Sequence, residues 1–222
     1  MSGINASLSV CRGELAGLQA SGAQLLEVIQ SLQRRGRNVL SALIGSQPSV
    51  AWTHYPEDDA FDADSGYRYY YHAHPGPRAS CEHGHFHLFA KASEHSVEHA
   101  GFTHLLAVGV SADGLPVRGF TTNRWVTNEH WRPAAEVIRR ASGFRLDKPA
   151  RLAPVNQWLQ ALMGLFRPQL RWLLTRRDEV WQRALQTRPN FFEDRRSTVL
   201  SECAFDLHRQ FAWLDRLDGA PA

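Results

Sequence analysis

The sequence predicts an α+β fold built on an antiparallel sheet, and three observations carry that expectation. Apolar residues recur at helical spacing near the start, extended aromatic runs joined by turn residues fill the middle, and helical periodicity returns towards the end. We expect a sheet of about four strands, made of two hairpins, covered by a long N-terminal helix and several C-terminal helices. Residues 1–222 read as a single α+β domain: a helical segment at 12–44, a His-rich hairpin core at 65–125 and a helical part at 131–217.

Composition narrows the classes of function. Of the 222 residues, 43% are hydrophobic and 21% charged, as in an ordinary globular protein long enough to bury a sizeable core. The formal charge of +3 is too small to imply nucleic acid. Its distribution says more: residues 52–100 hold eight acids, three bases and eight of the eleven histidines, whereas residues 151–222 are net basic. An acidic, His-rich middle suits a cation. Cys11, Cys81 and Cys203 are widely spaced and form no CxxC pair, which argues against a disulfide framework or a zinc knuckle. No secretory leader and no membrane-length apolar run is seen, so a cytoplasmic setting is expected.

In the N-terminal segment, Leu15, Leu18, Leu25, Ile29, Leu32, Val39 and Leu43 mark one stripe of a long helix or two joined helices. That stripe would cover the sheet or pair with a second copy of the chain. Gly13, Gly17, Gly22 and Gly36 weaken such a helix by about 1 kcal/mol each, which close helix packing would explain. Residues 44–65 read as a connector. Its acidic run, Glu57 to Asp64, lacks calcium-loop spacing and reads as a solvated loop, with Asp62 and Asp64 placed to reach towards the histidines. His54 and Tyr55 open this loop and stand where they can fold over a site.

The chemistry is concentrated in residues 65–87. Tyr67 to His74 and Cys81 to His87 are extended runs flanking a Pro/Gly turn, the pattern of a β-hairpin. Strand side chains alternate, so His72 and His74 share a face, as do His83, His85 and His87. Pairing His74 with His83 sets His72 opposite His85 and Tyr70 opposite His87; pairing His74 with Cys81 also keeps the five imidazoles together. Opposed Cβ atoms lie about 4.5–5.5 Å apart, close enough for several rings to reach one ion. Glu82 falls on the opposite face of a regular strand and is left out of the ligand set.

Further on, His95-x-x-Glu98-His99 matches the inverted zinc-protease pattern, but a strand just before it and Gly101 just after leave room for one helical turn, so a protease is not expected. His85-Phe86-His87, Glu94 and His104 together resemble the three-His zinc segment of α-class carbonic anhydrases. That resemblance implies His85, His87 and His104 as ligands and Glu94 as the group orienting the third. It covers one short stretch with shorter spacers, and the family's Thr-bearing substrate loop has no counterpart. It reads as a shared way of building a site, and it nominates His104.

Thr103 to Val110 and Leu115 to Thr122 predict a second hairpin around a type I′ turn at Asp113-Gly114. The following loop carries Arg124, suited to a carboxylate or phosphate, then Glu129 and His130, with Asn128 expected to cap a helix over 133–142. Helices follow at 155–166, 168–187 and 197–217. Arginines on the second of these alternate with acids and read as a solvated face. Glu202 and Asp206, one helical turn apart, lack the partners of a di-metal bundle.

Together these residues predict a mononuclear metalloenzyme. A divalent Fe, Zn or Cu ion would be held by imidazoles drawn from His72, His74, His83, His85, His87 and His104, with one position open. Tyr70 and Arg124 would orient a small-molecule substrate. An ion saturated by four or five imidazoles would instead make a non-catalytic metal-binding or sensing protein. A hairpin without metal would be structural.

Overall fold

The computed structural model describes residues 8, 10–46, 48–74, 81–92 and 101–219. It is α+β. Among these residues a six-stranded sheet runs β1 (Tyr55–Asp62), β2 (Tyr67–Ala73), β3 (Glu82–Lys91), β4 (Phe102–Ser111), β5 (Pro116–Thr122) and β6 (Val199–Ala204), in that spatial order. Every neighbouring pair is antiparallel.

Helix α1 (Arg12–Gln33) buries Leu15, Leu18, Gly22, Leu25, Val28 and Leu32 along one face. Gly22 has a packing reason: a Cβ there would fall 2.7 Å from the Phe211 ring on the last helix. The long helical segment breaks at Gly36, whose φ of +64° favours glycine. Asn38 and Ser41 then form a reciprocal capping box that starts α2 (Val39–Ile44). Beyond β5 come α3 (Arg124–Thr127), α4 (Ala134–Ser142), α5 (Ala153–Leu165) and α6 (Arg167–Leu185), and after β6 comes α7 (Leu207–Asp218).

The expected four strands become six, because two segments take their structure from a partner. The acidic connector contains β1, which lies along β2 through a bulge, with Asp59 at a left-handed φ of 52°. Asp62 is buried and accepts from the backbone N–H of Asp64, Ser65, Asp147 and Lys148. Burial alone would raise its pKa, but those four donors hold it below the usual carboxylate range. Asp62 therefore ties a turn to the 147–148 loop, and Asp64 pairs with Lys148.

The expected helix over 197–217 is β6 followed by α7. Glu202 sits on the strand, and Asp206 caps the helix by accepting from Arg209 N–H. Edge pairing with β5 supplies β6 with hydrogen bonds that local periodicity does not reveal. Two smaller corrections follow the same pattern. Asn128 ends α3 in the left-handed region and does not begin α4, whose Ala134 N–H is met by Asp178. Of the Asp113-Gly114 pair only Gly114 has positive φ, so the turn is not type I′.

The sheet has two unlike faces. Tyr69, Tyr71, Phe86, Leu88 and Val108 belong to the main apolar core with Leu18, Leu25, Trp158 and Leu162 from the helices. Tyr69 Oη also donates to Asn156 Oδ1 of α5 at 2.8 Å. The alternate residues face the other way, and they include His72, His85 and His87.

Candidate metal centre

The β2–β3 register pairs Tyr70 with His87 and His72 with His85, one of the two registers expected. His72 and His85 meet through their Nε2 atoms at 2.9 Å, and His74 Nε2 lies 3.3 Å from His85 Nε2. A ligand atom from each of the three lies within 4.8 Å of the other two. His85 is buried, at 6% exposure, and His72 and His74 are half-buried.

Two bulges decide which other side chains join this face. Along β3 against β4, Glu82 pairs with Ser111 and Gly84 with Val110, leaving His83 as an extra residue. His83 is thereby turned to the core side, where its ring stacks on Tyr71 and its Nδ1 lies 2.5 Å from Tyr71 Oη. The expectation that all five hairpin imidazoles share one face is corrected for His83. The same shift brings Glu82 to the imidazole side, where Oε1 accepts from His85 Nδ1 at 3.0 Å. Sequence reasoning omitted Glu82 by assuming a regular strand. An isolated glycine within a strand, here Gly84, is the signal that would have suggested the bulge.

The second bulge leaves Leu105 extra, since Leu106 pairs with Leu88 but His104 pairs with Phe89. His104 consequently reaches His87, Nε2 to Nδ1 at 3.1 Å, with its own Nδ1 3.4 Å from Thr122 Oγ1. Both rings are 2% exposed. Burial, then neighbouring charge from other imidazoles, pushes the His87 pKa well down; burial, then Arg177, takes that of His104 to about 3. Both are neutral at pH 7. Among the described residues, His72, His74 and His85 are the group of three that meets closely enough for one ion, so the set implied by the carbonic anhydrase likeness does not converge. Glu94, His95, Glu98 and His99 lie outside the described residues.

The surroundings are specific. Glu82 is 1% exposed and also accepts from Arg118 Nε at 2.5 Å; burial would raise its pKa, but the bonds from His85 and Arg118 hold it at about 2. Arg118 in turn donates to Glu202 of β6 at 2.7 Å. Tyr70 stacks on His54 at 3.8 Å, and burial followed by nearby Asp59 pushes its pKa up to about 12. His54 Nδ1 is held by Asp59 at 3.0 Å. Trp52, 60% exposed and in the left-handed region, sets its ring edge-on to His74 at 4.2 Å. Arg124 is occupied elsewhere, paired with Glu193 and lying over Phe192.

At the inner end of the row, Glu129 Oε2 accepts from His104 N–H, while its buried Oε1 has no hydrogen-bond partner among the described residues. Burial, opposed by Arg177, pushes the Glu129 pKa up to about 7.

Fold and site together define an α+β protein with a histidine-lined sheet face able to hold a metal ion. The chain belongs to the family described as a domain of unknown function, DUF6969, whose model matches residues 19–205. No curated protein and no solved structure matches it. No helix among the described residues is long and apolar enough to cross a membrane.

Proposed function

We propose that the protein is a mononuclear metalloenzyme whose divalent ion is held by His72, His74 and His85. The observation that carries this reading is the convergence of three Nε2 atoms, with 2.9 and 3.3 Å separations to His85. Metal–imidazole bonds of about 2.0–2.1 Å at tetrahedral angles place donor atoms about 3.3–3.4 Å apart, so small ring movements suffice. The donor set is nitrogen only, which suits Zn, Fe or Cu and gives no reason for a thiolate-preferring ion.

Three neutral imidazoles fill three positions of a tetrahedral ion and leave a fourth for water or substrate, as catalytic sites require. When bound, the ion supplies a Lewis acid and lowers the pKa of a coordinated water. The protein supplies the rest. Glu82 orients His85, and Trp52 screens one side of His74. Tyr70 keeps its proton at neutral pH and can donate a hydrogen bond to a small-molecule substrate. Arg124 is left out because Glu193 already engages it.

A second reading, a non-catalytic metal-binding or sensing protein with a saturated ion, is favoured by the fourth imidazole of His87, whose ring centre is 4.9 Å from that of His85. Elemental analysis of untagged protein tests the metal, and X-ray absorption counts the nitrogen ligands. One ion per chain with three imidazoles supports the enzyme; four imidazoles support the second reading. A metal content that survives loss of both His72 and His85 overturns both.

A further inference from the structure

We infer that Glu82 is a positioning residue of the metal centre, holding His85 in the tautomer whose Nε2 lone pair points at the ion. This rests on reading the triad as a metal site. The carboxylate is committed at both oxygens: Oε2 accepts from Arg118 Nε at 2.5 Å, and Oε1 accepts from His85 Nδ1 at 3.0 Å and from Arg118 Nη2 at 3.4 Å. An ionised carboxylate in that position offers no proton, so the proton of the Glu82–His85 contact resides on His85 Nδ1. In the neutral ring Nε2 of His85 is then the lone-pair nitrogen, and it faces Nε2 of His72 at 2.9 Å and Nε2 of His74 at 3.3 Å.

The fold makes specific room for this carboxylate. A Cβ added at Gly109, directly across from His85 on β4, would collide with Glu82 Oε2. The bulge at His83 turns Glu82 inward, and the absent side chain at Gly109 lets it fit. Carboxylates that orient a metal-bound imidazole in this way commonly change metal affinity by about 10–100-fold when removed.

Substitution by glutamine is discriminating here because an amide cannot satisfy both neighbours. If its oxygen faces His85, its NH2 group meets the Arg118 donors. If its oxygen faces Arg118, its NH2 demands an unprotonated His85 Nδ1 and moves the proton to Nε2, where it blocks the ion. The test uses the full chain stripped of metal by chelation. Long-range 15N–1H NMR reads the His85 tautomer, and zinc titration against a competing chelator reads affinity.

The parent is expected to show His85 protonated at Nδ1. Glu82→Gln is expected to shift the tautomer population and weaken zinc binding about 10–100-fold. Gly109→Ala, which displaces the carboxylate without altering it, is expected to act in the same direction. Glu202→Gln, which touches only the outer nitrogen of Arg118, is expected to stay within about 3-fold of the parent. A parent His85 protonated at Nε2, or a Glu82→Gln protein that folds and binds zinc as tightly as the parent, overturns the inference. Should Glu82→Gln fail to fold, the parent tautomer and Gly109→Ala decide it. A parent that binds none of zinc, ferrous iron or copper overturns the metal reading, while the tautomer still tests Glu82 independently.

Discussion

The imidazoles on one face of the sheet divide into an outer three and an inner two, and the same side chain has different physical circumstances in each. His72, His74 and His85 converge on one point, with the first two half-exposed and the third held by an ionised carboxylate. His87 and His104 point at each other in full burial, with a hydroxyl beyond them and a buried carboxyl near the His104 backbone. Convergent, partly hydrated nitrogens suit an ion that must enter and exchange ligands. A closed pair with depressed basicity suits a hydrogen-bonded support that keeps the outer rings in place. Residue type gives neither role; access and partners do.

The largest effect that would sharpen the contrast is on metal retention. His85→Ala is expected to weaken zinc binding on the order of 1000-fold, because two remaining imidazoles do not make a closed site. His87→Ala is expected to keep one ion per chain by elemental analysis. Equal loss of metal from both variants would merge the two halves into one site.

Stability should show the reverse order. His104→Ala removes a buried ring and strands His87 Nδ1, a combination expected to destabilise by about 3 kcal/mol. For a chain of this size that lowers Tm by about 6–12 °C. His74→Ala, at the half-exposed outer end, should lower it far less in metal-free protein. Matching shifts in differential scanning fluorimetry would contradict the division.

The inner end also sets a pH dependence. Glu129 has a folded pKa of about 7 against an ordinary value of 4.5, so its contribution to stability is full below 4.5 and is lost as pH rises through 7. His104 acts oppositely: with a folded pKa of about 3 and an ordinary value of 6.5, its contribution is full above 6.5 and is lost as pH falls towards 3. Glu129→Gln is therefore expected to gain stability over the parent as pH is raised from 4.5 to 8, by up to about 3 kcal/mol. Urea unfolding at several pH values measures this. A difference independent of pH would show that Glu129 does not titrate in this window.

The smallest effect concerns the rim. Trp52 lies edge-on to His74 at 4.2 Å, so its emission should change when an ion draws that ring inward. Trp52→Phe should remove most of that fluorescence change and leave zinc affinity within about 10-fold, since an edge contact contributes only about 0.5–1.5 kcal/mol. A larger loss of affinity would make Trp52 part of the support for His74.

Much of the centre was legible because a strand has a period of two. Tyr70, His72 and His74 had to share a face, and the Pro/Gly turn limited the hairpin to a few registers, one of which pairs His72 with His85. The N-terminal helical stripe, the second hairpin and the division between the helices expected at 155–166 and 168–187 were legible for similar reasons, each being a local pattern. Strands β1 and β6 were not, because an edge strand is completed by hydrogen bonds from a neighbour far along the chain. Glu202 and Asp206 read as one turn of helix until β5 claimed the first of them.

By itself the sequence determined the kinds of side chain available and the alternation that gathers most of the imidazoles on one face. Only the tertiary structure decided the membership, through one extra residue at His83 and one at Leu105. Each bulge reverses the facing of what lies beyond it, sending His83 to the core and bringing Glu82 and His104 in. The physical reason is that a strand's alternation is a local property of the backbone, whereas a bulge is a mismatch between two strands and exists only once they pair.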